Sequence, residues 1–265
     1  MSEVGSMFSD GEAYERQIGR WSREVGRLFL DWMAVPPGLR WLDVGCGNGA
    51  FTEEIIARRS PAAVSGLDPS QEQIDHARSR DAGKMADYQI GDAQALPFAD
   101  AAFDAAVMAL VISFVPDPAG AVAQMTRVVR SGGWVGAYMW DFTGGGVPTY
   151  PLSAGAKELG ITFAKPYSED VSRLHVLKAL WLAAGLVDVV TRTILIRVRH
   201  ESFDAFWNAN GQVGPSGKAI ASLEPDTRER LREHLRATIP ASPDGGIEFH
   251  AWANAVKGRV AEPAT

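Results

Sequence analysis

Leu42-Asp43-Val44-Gly45-Cys46-Gly47-Asn48-Gly49-Ala50-Phe51 decides the fold. An apolar run ends at Asp43-Val44, glycines alternate from 45 to 49, and helical spacing begins near Ala50, with Phe51 followed four and five residues later by Ile55 and Ile56. Glycines at such a strand-to-helix turn let the chain bend tightly and bring its backbone against a ligand. Gly45-x-Gly47-x-x-Ala50 also meets a loose form of the dinucleotide fingerprint. The glycines alone therefore do not name the ligand.

Moving outward, short apolar runs end at acidic or glycine positions in 40–45, 63–68, 87–92, 104–110 and 133–140. Helix-length stretches lie between them, including 71–80 and the run Val122, Met125, Val128 and Val129. Near-continuous apolar strands alternating with helices predict a parallel sheet covered on both faces. Arg130-Ser-Gly-Gly133 reads as a helix stop before a strand. After Trp140 the rhythm changes: 142–168 carries Gly144-Gly145-Gly146, Pro148, Pro151 and Pro166, which predicts loop. A helix is expected over 174–186, strands over 187–198 and 247–256, and an irregular helical insertion over 201–243, with Pro225 in a first helical turn.

Composition narrows the function classes. The 265 residues hold 26 Lys and Arg against 32 Asp and Glu, a net charge of −6, with no basic stripe. The densest basic stretch, Arg228 to Arg236, is interleaved with Glu229 and Glu233, so nucleic-acid binding is not expected. Cys46 is the one cysteine, which excludes an internal disulfide and a cysteine-rich zinc site. The five histidines form no HxxxH pair, so no metal is expected. The first 30 residues are charged throughout, and the longest apolar run, 105–115, is about half a membrane span. These features predict a soluble, cytoplasmic protein without a membrane partner.

Acidic residues at three consecutive strand ends choose between ligands. A carboxylate ~4 Å from a pyrophosphate costs roughly 1 kcal/mol in water and ~4 kcal/mol at an effective dielectric of 20. Asp43 thus disfavours a phosphate at the glycine turn and favours a cation. S-adenosylmethionine brings an ammonium and a sulfonium and no phosphate. Asp68, at the second strand end, can accept both hydroxyls of a ribose, or serve the following helix as a cap. Asp92, followed by Ala93, can accept from an adenine amino group or simply form a turn.

Leu42-Asp-Val-Gly-Cys-Gly-Asn-Gly49, Gly66-Leu-Asp-Pro-Ser70, Gly91-Asp-Ala-Gln-Ala-Leu-Pro-Phe98, Phe103-Asp104 and Val129-Arg-Ser-Gly-Gly133 resemble the ordered motifs of class I S-adenosylmethionine-dependent methyltransferases. The resemblance covers about residues 12–141 and is nearest the small-molecule branch related to the ubiquinone/menaquinone-biosynthesis type. It implies a Rossmann-like α/β fold: a seven-stranded, mostly parallel sheet with helices on both faces, the last strand antiparallel, and a lid-like insertion. It divides the chain into an N-terminal helical cap (1–34), a donor-binding core (35–141) and a C-terminal part (142–265) that completes the sheet, with 201–243 as substrate lid. By the same resemblance S-adenosyl-L-methionine is held by Asp43, Gly45, Cys46, Gly47, Gly49, Asp68, Pro69, Gln73, Asp92, Ala93 and Leu110, with Tyr14 and Arg20 reaching it from the N-terminal helix. One departure is visible: Val111-Ile-Ser-Phe114 offers only Ser113 where the family often carries a His or Asn.

Methyl transfer from a sulfonium is a direct displacement that needs in-line placement and little acid catalysis. A base is required only if the attacking atom must lose a proton, and His175, opening the helix after 142–168, is the candidate. Cys46, between glycines that face the donor, is not expected to act as a nucleophile. Residues 138–167 hold six aromatics, against about three expected from an aromatic fraction of 9%. Tyr138, Trp140 and, in the insertion, Trp207 are read as lining a pocket for a small aromatic or apolar acceptor. Phe203 and Phe206 join Trp207 in that reading. The competing functions are a donor-binding protein without transfer and a nicotinamide-dependent oxidoreductase, which the missing Tyr-x-x-x-Lys pair disfavours. A monomer or a homodimer is expected.

Overall fold

The structure is a computed structural model that describes residues 19–80, 82–211 and 214–262. In chain order its helices and strands are α1 (Arg20–Met33), β1 (Arg40–Val44), α2 (Ala50–Arg59), β2 (Ala63–Asp68), α3 (Gln71–Ser79), β3 (Asp87–Ile90), β4 (Phe103–Ala109), α4 (Pro118–Val128) and β5 (Val129–Trp140). There follow α5 (Tyr150–Glu158), α6 (Leu174–Ala183), β6 (Leu186–His200), α7 (Phe203–Gly211), α8 (Gly214–Ala221), α9 (Pro225–Thr238) and β7 (Ile247–Val260).

The strands form one sheet in the order β3-β2-β1-β4-β5-β7-β6. All pairs from β3 to β5 are parallel, and β7 runs antiparallel to both β5 and β6. Ala105, Ala106, Val107 and Met108 on β4 are each wholly buried, which is why this strand reads as a continuous apolar run rather than an alternating one. Successive residues of β5 separate the two faces. Tyr138 meets Phe29 of α1, with ring centroids 4.7 Å apart, while Trp181 of α6 donates to the Val135 carbonyl at 3.0 Å on the other side. Pairs of Arg27 with Glu54 and of Arg58 with Asp31 tie α1 to α2. At the amino end, Arg40 and Arg130 both pair with Asp104, so the Phe103-Asp104 motif fastens three strands together.

Strands β6 and β7 outrun the rest of the sheet. Trp140, the last residue of β5, pairs with Ala253, but β6 and β7 remain paired as far as His200 with Ile247. Six further residues of β7 rise about 20 Å above the carboxyl edge. Helices α7, α8 and α9 fill the connection at its tip and build a second core from Phe206, Trp207, Leu231 and Leu235, closed by Leu152 and Ala156 of α5.

The loop expected over 142–168 therefore contains a helix. Pro151 sits in the first turn of α5, where its missing N–H is no loss. Leu152 and Ala156, four residues apart, face the second core. The clustered glycines and prolines punctuate the two ends of α5 and not its body. No helix of the described residues is long and apolar enough to cross a membrane.

Candidate active site

The chain leaves β1 toward β2 and β3 on one side and places β4 and β5 on the other, so the topology switches between β1 and β4. In open α/β sheets the loops at the carboxyl ends of two such strands diverge and leave a crevice. Here the glycine turn follows β1 and Leu110 follows β4.

The glycine turn is held by the end of β2. Gly45 and Cys46 both donate to the Leu67 carbonyl, at 2.7 and 3.0 Å, and Gly49 closes the turn onto the Cys46 carbonyl. Gly45, Gly47 and Gly49 all have positive φ, at 76°, 51° and 82°. Their surroundings differ. A Cβ on Gly45 would stand 2.5 Å from Val111, and one on Gly49 would stand 2.9 Å from the Tyr88 hydroxyl, so packing excludes a side chain at both. A Cβ on Gly47 would meet only Gln73 Oε1 at 3.9 Å. This is the open point of the turn, where a ligand can reach backbone.

Asp68 sits beside that point. Its Oδ2 accepts from Gly47 N at 3.0 Å and its Oδ1 from Ser70 N at 2.9 Å. The capping of α3 belongs to Ser70, whose hydroxyl accepts from Gln73 N. Each Asp68 oxygen has a second lone pair for an outside donor. Burial pushes its pKa up, while the bonds from Ser70 and Gly47 pull it down. Pro69 is exposed beside it, and Gln73 is buried and turned toward Gly47.

Asp92 is exposed, and its Oδ1 accepts from the Gln94 backbone at 2.9 Å; Ala93 beside it is buried. Gln94 Oε1 accepts in turn from Asp117 N at 3.0 Å, joining the loops that follow β3 and β4. Leu110 has φ of 63°, a left-handed conformation unusual for leucine, and it donates to the Tyr138 carbonyl at 2.9 Å. Non-glycine residues held this way gather at ligand sites. Asp43 lies beneath the turn with no solvent exposure and takes a 2.7 Å hydrogen bond from Thr52 Oγ1.

These residues fit the methyl donor. They offer an open glycine, a carboxylate with free lone pairs at the second strand end, an exposed carboxylate at the third, and a buried carboxyl under the turn.

Other expected site residues lie elsewhere. The Cys46 thiol packs with Ile74, Ala77 and Tyr88, and burial pushes it well above its usual range, so only its backbone belongs to the turn. Arg20 donates to the Arg199 carbonyl and stacks 4.2 Å over Trp21, at the end of β6 and far across the sheet from β1. Tyr14 lies outside the described residues. His175 is exposed in the first turn of α6.

The aromatics expected to line a pocket are core residues instead. Tyr138 and Trp140 are 1% and 2% exposed, both within the main core, and Trp207 is 7% exposed within the second core. Phe203 and Phe206 are buried in that second core too. Two cores need large apolar side chains, and these aromatics fill them. The rings that stand at the carboxyl edge are Phe114 and Phe142, 6.0 Å apart, together with half-buried Trp252 and exposed Tyr150 and Tyr167. A concavity of about 520 Å³ lined by Ile56, Pro61 and Met85 lies at the amino end of β2, remote from every residue of the turn.

Thr52, Val111 and Gln94 carry this geometry and were not expected from sequence. Thr52 was accessible to reasoning, since a hydroxyl in the first turn of α2 points back at the strand that precedes it. Nothing local marks the other two.

Residues 42–137 match the family described as a methyltransferase domain. An uncharacterized protein of Mycobacterium tuberculosis is 33% identical over 120 residues, 45% of this chain and 44% of that protein. The malonyl-[acyl-carrier protein] O-methyltransferase of Serratia marcescens is 34% identical over 130 residues, 49% of each. The chain thus spans about half the length of the curated relatives it matches. The Haemonchus contortus phosphoethanolamine N-methyltransferase 2 in complex with S-adenosyl-L-methionine shares the fold, with a TM-score of 0.57 at 16% identity over 90% of this chain and 53% of that one.

Proposed function

We propose that this chain, whose residues 42–137 match the methyltransferase-domain family, is an S-adenosylmethionine-dependent methyltransferase of the class I type and transfers a methyl group to a small acceptor with an aromatic or apolar body. The observation that carries this reading is the switch point between β1 and β4, where an open Gly47 and a receptive Asp68 stand 3.0 Å apart above a buried carboxyl. When bound there, S-adenosylmethionine supplies a methyl group already activated by its sulfonium.

The chain's part is to bind and orient. Asp68 offers its remaining lone pairs to hydroxyl donors. The loops after β3 and β4, joined through Gln94, close the side of the crevice. Phe114 and Phe142 stand at the carboxyl ends of β4 and β5, and the cap on β6 and β7 rises beside them. Excluding water from such a mouth protects the reacting geometry, and holding the acceptor in line contributes much of the rate. The apolar rings favour an acceptor with a planar or hydrocarbon body.

Incubation with methyl-labelled S-adenosylmethionine and a panel of small phenols, acids and amines tests the reading. Label appearing in at least one small acceptor is the expected result. Saturable donor binding with no transfer to any of them, and transfer instead to a protein or nucleic acid, would overturn the acceptor class.

A further inference from the structure

Asp43 is the last residue but one of β1, directly below the glycine turn, and is sealed from solvent. Its Oδ2 takes the bond from Thr52, and its Oδ1 has no partner. Among the described residues no cation bonds it. The groups that face it are acidic or neutral: Asp68 at the end of β2, the Cys46 thiol in the turn, and the Tyr88 phenol on β3. Glu53 and Glu54 on α2 are already paired, with Arg80 just after α3 and Arg27 of α1. A buried carboxylate with one neutral donor and a second acid nearby is poorly stabilised as an anion and takes up a proton instead. Burial, reinforced by Asp68 and opposed by the Thr52 bond, raises the group to about 7.

We propose that Asp43 holds a proton in the donor-free protein and releases it to solvent when the positively charged donor settles on the turn above, so that donor binding and deprotonation are one coupled event. The proposal rests on the cofactor reading given above. Its balance is simple: the carboxyl O–H bond breaks, the proton passes to the buffer, the donor gains no bond, and nothing is oxidised or reduced. The coupling is reciprocal, so donor affinity falls as the pH drops. Below the midpoint of the free group the fall approaches tenfold per pH unit.

Titration calorimetry with S-adenosylmethionine at pH 6.0, where the ligand ammonium is fully charged, reads the event. Measured in buffers of different ionisation enthalpy, the slope of binding enthalpy gives the protons released. For a midpoint near 7, roughly 0.9 proton per donor is expected. Asp43→Asn, which keeps an oxygen for Thr52, should bring this to near zero. Thr52→Val removes the one bonded donor, and at pH 7 should raise the release from about one half toward one. Carbon-13 spectra of the donor-free protein add an independent reading: the aspartate carboxyl resonance lost in Asp43→Asn should titrate near pH 7.

Saturable binding with no proton exchange, or a carboxyl midpoint below about 5, overturns the proposal and leaves the cofactor reading intact. Absence of any binding overturns both.

Discussion

The three glycines of the turn are required for different reasons, and substitution separates them. Gly45→Ala combines a left-handed backbone with a 2.5 Å clash against Val111, and should lower stability by several kcal/mol. Gly47→Ala meets open space, so only backbone strain of about 1 kcal/mol is expected. Its donor affinity should nevertheless drop tenfold or more, because the new methyl occupies ligand space. Chemical unfolding and calorimetry on the two variants check this contrast. Asp68→Ala should weaken the donor by a factor of ten or more, since charge-assisted hydrogen bonds are worth about 1.5–3 kcal/mol each. Unchanged affinity by calorimetry would reduce Asp68 to a brace between Gly47 and Ser70. Sequence exposed these positions because glycine alternation and strand-end acids are local signals. It did not expose Leu110's left-handed backbone or Val111's wall against Gly45, since both arise from packing between β4 and the turn.

At the scale of elements, α1, the end of β6 and α7 converge on His200. The imidazole is 5% exposed, edge-on to Trp21 at 5.2 Å and to Phe206 at 5.4 Å. Burial, then the nearby Arg20, holds its pKa down at about 4. The unfolded chain binds a proton here near pH 6.5 and the native state does not, so stability falls as pH drops from about 6.5 to 4. Asp43 works in the opposite sense: its raised pKa lets the native state hold an extra proton, which adds stability as pH falls below about 7. The difference between the wild type and His200→Phe, which keeps an aromatic ring, isolates the histidine. That difference should shift by up to about 2 kcal/mol in favour of the variant between pH 7 and pH 4.5, read by urea unfolding. A pH-independent difference would mean that His200 becomes charged in the folded protein. The strands here were legible from apolar runs bounded by acids and glycines. Helix α5 was not, because Pro151 reads as a breaker unless its place in a first turn is known.

At the scale of the molecule, the residues proposed to hold the donor lie at the carboxyl ends of β1, β2, β3 and β4, while the cap stands on β6 and β7 at the far side of the sheet. Replacing residues 202–245 by a short turn should therefore spare donor binding and abolish transfer. It also uncovers Leu152 and Ala156, so the melting temperature should fall while the transition stays cooperative. Transfer at the parental rate after truncation would remove the cap from the acceptor site. The acceptor side was the least legible part of the sequence. Aromatic density marked Tyr138, Trp140 and Trp207, yet rings that fill a core and rings that line a mouth have the same composition, and only packing separates them. On this reading the switch point binds a cationic methyl donor and not a dinucleotide. Thermal unfolding with S-adenosylmethionine or NAD at 100 times the donor's dissociation constant tests it most directly. Native-state binding at that ratio adds ~2.7 kcal/mol, or about 5–10 °C for a chain of this size. That shift is expected with S-adenosylmethionine and none with NAD; a shift with NAD and none with S-adenosylmethionine would mean that the switch point holds a dinucleotide.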